Sequence, residues 1–267
     1  MKLPVIELFA SVQGEGMYTG IPSIFLRVTG CNLRCRFKNS ICDSAYSSFH
    51  PEKPIYNSME DLVKAYNELI EQYPNINHLV ITGGEPMLYK EGIDEFLKII
   101  YNRNLKITIE TNGTLEPLPL SGSYHIDLYS VSPKLSTSCF NNNDNILTKA
   151  QIEKHNNTRI NIDNLCKYAV TQHNYQFKFV YSDQECIDEI NDIYKRMDEC
   201  IEKNYSNSCI TRYKYSHPNT HTQLMPEGMI NSQLSKISEE CANVCMEKGW
   251  RFCDRLHIRI WGDKRGV

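Results

Sequence analysis

Gly30-Cys31-Asn32-Leu33-Arg34-Cys35, completed by Cys42-Asp43-Ser44, is the stretch that decides how this sequence folds. Its three cysteines follow directly on an apolar run, Ile24-Phe25-Leu26-Arg27-Val28, that has strand character. Thiolates crowded on a loop after a strand point to a metal or cluster site. A structural zinc centre closes its fourth position with another Cys or His. A four-iron cluster held by three thiolates keeps one iron open to an outside ligand. Zinc and ordinary buried cysteines remain the competing readings.

Outward from that loop, strand and helix patterns alternate. Residues 5–20 begin as a short strand and run into a polar, glycine-bearing loop with Glu7, Phe9, Ser11 and Gln13-Gly14-Glu15-Gly16. Residues 22–29 form the strand that delivers the chain to Cys31. Ser58, with Asp61 three positions on, caps a helix carrying Leu62, Tyr66, Leu69 and Ile70. The apolar strand 78–82 ends in Gly83-Gly84-Glu85-Pro86, and a helix follows over about 90–102. Strand 105–110 ends in Thr111-Asn112-Gly113-Thr114, and strand 127–132 in Pro133-Lys134. Residues 135–170 read as an Asn-rich surface excursion with short helices near 146–155, and 204–219 as a polar loop.

Strand 175–181 leads through a Ser182/Glu185 capping box into a helix. Cys186, Ile190, Ile193, Met197, Cys200 and Ile201 share one face of it. Strand 221–225 ends in Pro226-Glu227-Gly228, and helix 231–248 aligns Leu234, Ile237, Cys241, Val244 and Cys245 above a closing Gly249. That stripe favours core packing for Cys241 and Cys245 over a second cluster. Residues 255–261 read as a last strand before the tail Gly262 to Val267.

Alternating strands and helices imply parallel βαβ units. The expected architecture is α/β: an incomplete, open TIM-type barrel of about six parallel strands with flanking helices. It forms a single domain over 1–267 with insertions at about 135–170 and 204–219. In a parallel barrel the strand ends share one mouth, so Cys31, Gly83, Thr111, Ser132 and Pro226 should converge there.

Composition narrows the class. With 29 basic and 32 acidic residues the formal net charge is −3, which suggests neither a nucleic-acid nor a membrane partner. Eleven cysteines, an odd number, without a secretory leader argue for a reducing, cytoplasmic location and against a disulfide framework. No apolar run approaches the length of a membrane span.

The cysteine trio with Gly83-Gly84-Glu85-Pro86 resembles the radical S-adenosylmethionine superfamily, although the gap of six residues before Cys42 exceeds the usual two. A four-residue insertion after Cys35 accounts for the difference if it loops out and returns Cys42. The resemblance implies that Cys31, Cys35 and Cys42 ligate a [4Fe-4S] cluster whose open iron binds S-adenosylmethionine, cleaved to a 5′-deoxyadenosyl radical. Ile41, Cys42, Asp43, Gly84, Glu85, Ser132, Pro133 and Lys134 would contact that cofactor.

Glu7, Phe9, Ser11 and Gln13–Gly16 at the start, Cys42-Asp43-Ser44, and His257 to Val267 at the end look like the 7-carboxy-7-deazaguanine synthase family. This implies a radical carbon–nitrogen lyase of 7-deazapurine (queuosine) biosynthesis, which contracts the ring of 6-carboxy-5,6,7,8-tetrahydropterin with loss of ammonia. Val12, Gln13, Gly14, Glu15, Arg27, Thr82 and Val267 would bind substrate, and Ser44 a Mg²⁺. The residue types suit these roles, since Arg pairs bidentately with a carboxylate and Mg²⁺ prefers hard oxygen. An electron donor such as flavodoxin and a homodimer are implied with them. A radical activase that makes a glycyl radical on a partner protein is the alternative. It shares the trio and the glycine turn but has no need of the matching ends.

Overall fold

The structure is a computed structural model that describes residues 2–38, 40–119, 122–140, 146–171, 174–216 and 220–267. Apolar residues alternating along short β-branched and aromatic runs make strands that are buried on both faces. The strands are β1 (Val5–Val12), β2 (Pro22–Val28), β3 (His78–Gly83), β4 (Lys106–Thr111), β5 (Leu128–Val131), β6 (Tyr175–Tyr181), β7 (Thr222–Pro226) and β8 (Arg251–Phe252). They form one sheet in sequence order. β1 pairs antiparallel with β2, and every later pairing is parallel. The six strands β2 to β7 are the expected parallel set, and among the described strands the ends β1 and β8 do not pair, so the barrel is open.

The described α-helices are α1 (Ala45–Ser48), α2 (Met59–Gln72), α3 (Lys90–Ile100), α4 (Lys149–Thr158), α5 (Ile162–Thr171), α6 (Glu185–Asn204), α7 (Asn207–Ser216), α8 (Asn231–Lys248) and α9 (Leu256–Trp261), of which the short α1 and α9 lie at the cavity through Tyr46 and His257. Ser58 caps α2 by accepting from the Asp61 N–H, and Gly249, at φ 68°, ends α8 in the left-handed conformation. Ile24, Leu26, Leu79, Ile81, Ile107, Ile109, Phe177 and Phe179 point outward into one continuous apolar core beneath the helices. The alternate residues point into the barrel, and many are polar: Ser23, Arg27, His78, Thr82, Thr108, Ser130, Gln176, Lys178 and Gln223.

Four local expectations change. Residues 5–12 are all strand, because Glu7 to Val12 find partners on β2. Residues 162–171 form a helix whose Leu165, Cys166, Tyr168 and Ala169 are core, and Tyr213 on α7 is buried too, so neither segment is a surface loop. Residues 141–145 and 217–219 of those segments lie outside the described residues. Ser182 does not cap α6: its hydroxyl meets Asp183 and the Cys186 sulfur instead. The run 255–261 is a helix, not a strand, because its first amide bonds Gly14 O and only Ile258 of α9 is buried.

Cys186 and Cys241 are fully buried as expected, and Cys200 is half-buried. No helix is long and apolar enough to cross a membrane.

Candidate active site

Glycines explain how the site can assemble. Gly30, at φ +87°, turns the chain out of β2 into the cysteine loop, and Gly84 packs so closely that a Cβ would stand 2.1 Å from Gly30 O. The Gly84 and Glu85 amides donate to Val28 O and Gly30 O, which stitches the end of β3 to the start of the cysteine loop. The glycine pair is thus required first by backbone against backbone, before any ligand arrives.

The chain between Cys35 and Cys42 folds back on itself. Arg36 and Ile41 form an antiparallel bridge, and the Cys42 amide donates to Cys35 O at 3.0 Å. The insertion is therefore a small hairpin that brings Cys42 back beside Cys35. Cys31, Cys35 and Cys42 all line one cavity of about 310 Å³ at the carboxyl ends of the strands. Among the described residues, no three Cys, His, Asp or Glu side chains are close enough to hold a single metal ion.

Burial pushes the Cys31 thiol up to about 12, with Glu85 adding to the rise, and the Cys42 thiol up to about 11, helped by Asp43. Cys35, deeper still, is raised well above the ordinary thiol range by burial. Binding iron therefore displaces protons from all three. Asn112 leans on this trio: its Oδ1 accepts from the Thr114 amide at 2.9 Å, which turns its Nδ2 toward Asn32 Oδ1 at 3.0 Å and Cys31 Sγ at 3.9 Å.

The other predicted residues gather in the same cavity. Val12, Gln13, Gly14, Glu15, Arg27, Asp43, Ser44, Thr82, Gly84, Ser132, Lys134 and Val267 line it, while Ile41, Glu85 and Pro133 do not. Ile41 serves the hairpin bridge. The Glu85 carboxylate is fully buried and committed: Oε1 accepts from Met87 N and Thr111 Oγ1, and Oε2 from Asn112 N. Lys134 donates to Ser132 Oγ at 2.8 Å. Gly14 is needed because a Cβ would stand 2.0 Å from His257 Nδ1, so the imidazole lies directly on that backbone.

Two ion-pair groups shape the cavity. In the first, Glu15 accepts from Lys178 on one oxygen and from Arg255 Nε, at 2.9 Å, on the other. Arg255 also reaches Asp43 Oδ2 at 2.6 Å and Gly228 O at 2.6 Å. Burial alone would raise the Glu15 carboxyl, but Lys178, then Arg255 and His257, hold it well below the usual carboxylate range. In the second group, Glu7 accepts from Arg27 Nε at 2.5 Å, from the Tyr46 hydroxyl and from Arg265. Arg265 lies 3.7 Å over the Tyr46 ring and forks onto Glu52 at 2.8 and 2.6 Å. Between the groups, Glu110 accepts from Thr82 at 2.8 Å and from Gln13 Nε2 at 3.2 Å.

Sequence reasoning did not assign Glu7, Tyr46, Glu110, Asn112, Lys178, Arg255 or Arg265 to the site. Lys178 carried a usable signal, a cation between Phe177 and Phe179 on a strand buried on both faces. Arg255 carried none once 255–261 was read as strand.

Comparisons with known proteins show the family. Residues 26–160 match the Radical SAM superfamily. A 7-carboxy-7-deazaguanine synthase from Halobacterium salinarum is 32% identical over 98% of this chain and 91% of its own length. The chain belongs to the 7-carboxy-7-deazaguanine synthase family. Another synthase of that name, from Rhodopirellula baltica, is 31% identical over all of this chain and 89% of its own. The crystal structure of QueE from Escherichia coli has the same fold, with a TM-score of 0.53 at 21% identity over 96% of this chain and 94% of that one. A [4Fe-4S] cluster and S-adenosylmethionine come with the superfamily, and the cysteine trio fits them.

Proposed function

We propose that this chain converts 6-carboxy-5,6,7,8-tetrahydropterin to 7-carboxy-7-deazaguanine with loss of ammonia, as a radical S-adenosylmethionine lyase of 7-deazapurine biosynthesis. The observation that carries the reading is one cavity with the three thiols on one wall and Gln13, Glu15, Arg27 and Glu110 on the others. Relatives matched from end to end bear the synthase name, which favours it over the glycyl-radical activase.

Cys31, Cys35 and Cys42 hold the cluster, and the end of β3 with Ser132 and Lys134 holds S-adenosylmethionine. Bound there, these groups supply the one-electron chemistry that removes hydrogen from carbon, at C6 of the pterin. The protein's own residues bind and orient. Gln13 spends one N–H on Glu110 and one lone pair on the Glu15 amide, leaving one donor and one acceptor for the amide edge of a pterin. Arg27 Nη1 lies 3.5 Å from Ser44 Oγ, so a substrate carboxylate entering there meets a guanidinium and a hydroxyl together. Ser44 and that carboxylate would hold a Mg²⁺, which would supply polarisation of the substrate.

A flavodoxin-type donor and a cytoplasmic location belong to the same reading. So does a homodimer.

Anaerobic reconstitution with iron and sulfide, then reaction with carboxypterin, S-adenosylmethionine and a reductant, tests the proposal. Product lighter than substrate by one ammonia is expected. Cleavage of S-adenosylmethionine without any turnover of carboxypterin would overturn the substrate assignment.

A further inference from the structure

Arg255 joins three parts of the chain that are far apart in sequence. Its guanidinium donates to Glu15 on the loop after β1, to Asp43 between Cys42 and Ser44, and to Gly228 O beyond β7. Its side chain is 8% exposed, so these contacts lie out of bulk water, where directed charge-assisted bonds are strong. All three acceptors use different nitrogens, which only the planar fork of arginine can offer at once. Glu15 is fixed from its other side by Lys178, and the Arg255 amide itself is anchored on Asp254 Oδ1 at 2.8 Å.

We infer that Arg255 is a positioning residue that sets the distance between the cysteine loop and the substrate loop. The inference rests on the proposed synthase reading, in which Asp43 adjoins a cluster ligand and Glu15 faces the pterin. Hydrogen abstraction needs the reacting atoms within about 3–3.5 Å, and a shift of about 1 Å costs on the order of 10²-fold in rate. A cavity built from the ends of separate strands has no single rigid element to hold that spacing. Glu15 comes from the loop after β1, Asp43 from the residue after Cys42, and Arg255 from the residue before α9. One guanidinium bonded to both carboxylates ties the two loops to each other directly. Asp43 is 47% exposed and opens on the cavity, so without Arg255 nothing comparable among the described contacts of its side chain restrains it. The expected consequence of breaking the link is loss of coupling: the cofactor is cleaved while the substrate stands out of reach.

The test uses the reconstituted holoenzyme with Arg255→Met, which keeps the bulk of the stem and removes every donor, and with Asp43→Asn, which weakens only the arm to the cysteine loop. Iron content and the electron paramagnetic resonance of the reduced cluster are measured first. The main readout is 5′-deoxyadenosine released per carboxypterin converted, and the second is hydrogen exchange over residues 40–46.

With wild-type iron content, both variants should release about tenfold more 5′-deoxyadenosine per product, and exchange at 40–46 should quicken. Arg255→Lys, which cannot reach three acceptors, should behave like Arg255→Met. An unchanged ratio and unchanged exchange in any folded, iron-loaded variant would overturn the inference. If Arg255→Met does not fold, Asp43→Asn decides. If wild-type enzyme makes no product, the substrate reading falls instead, and exchange over 40–46 still decides whether Arg255 ties the loops.

Discussion

The inside of this barrel is neutral toward the strand starts and charged toward the strand ends. At the starts, His78 lies between Ser23 Oγ and Thr108 Oγ1, each at 2.8 Å. The Ser23 hydroxyl gives its hydrogen to Ile21 O, so His78 donates from Nδ1 and accepts at Nε2. Burial lowers the His78 pKa to about 4, and Lys106 and Asp127 push in opposite directions, so the ring stays uncharged. Every polar atom of this set is satisfied by another protein atom, and the set plugs the barrel. At the ends, Glu15, Lys178, Arg255 and Asp43 form one ionic group, and Glu7, Arg27 and Arg265 the other. Those charges are paired, and all but Glu7 line an open cavity, where they can hold a charged, hydrogen-bonding ligand. Neutral polar pairs close a space, and paired charges keep one available.

Substitutions can break this contrast, and the largest effect belongs to the cavity. Cys31→Ala, Cys35→Ala or Cys42→Ala should each remove the visible iron–sulfur absorbance and all product formation, read by iron analysis and product assay. Glu15→Gln takes the ion-pair partner from buried Lys178 and leaves Arg255 with Asp43 as its carboxylate, and should destabilise the fold by about 3–5 kcal/mol in chemical denaturation.

At the plug, the effect is a pH slope. The folded His78 pKa of about 4 lies below the unfolded value of 6.5. Between those values the unfolded chain takes up a proton that the folded chain refuses, so stability falls as pH drops from 6.5 toward 4. His78→Gln should flatten that fall by up to about 1.4 kcal/mol per pH unit. His155, which burial also lowers to about 4, leaves part of the slope in place.

Arg265→Ala should be mildest in stability, at most about 1 kcal/mol, because its pair with Glu52 is largely solvated. It should nevertheless quicken hydrogen exchange over residues 262–267, since Tyr46, Glu7 and Glu52 clamp that tail together.

Much of the scaffold and of the cavity lining was legible because it follows local rules. Strand runs with motifs at their ends, Ser58 as a cap, Gly249 as a stop and the cysteine trio all act through neighbours close in sequence. What was missed acts across the chain. Leu165, Cys166 and Ala169 sit at helical spacing in 162–171, but the Asn-rich residues before them gave that segment a surface look, and only packing against α6 makes them core. The run Leu256, Ile258 and Ile260 alternates like a strand, yet only Ile258 of the three is buried and the Leu256 amide bonds Gly14 O, and the run is helical. Arg255 and Glu110 take their meaning from acceptors and donors on other strands, which no spacing reveals. Gly84 was expected to contact the cofactor and is needed first to make room for Gly30.

In the proposed reaction this cavity brings C6 of a carboxypterin to the radical chemistry of the bound cofactor. The direct measurement is to supply carboxypterin deuterated at C6 to the reconstituted enzyme and follow the label by mass spectrometry. Deuterium recovered in 5′-deoxyadenosine or S-adenosylmethionine, together with product lacking one ammonia, is the predicted result. Label remaining wholly in the pterin while S-adenosylmethionine is consumed would contradict the account.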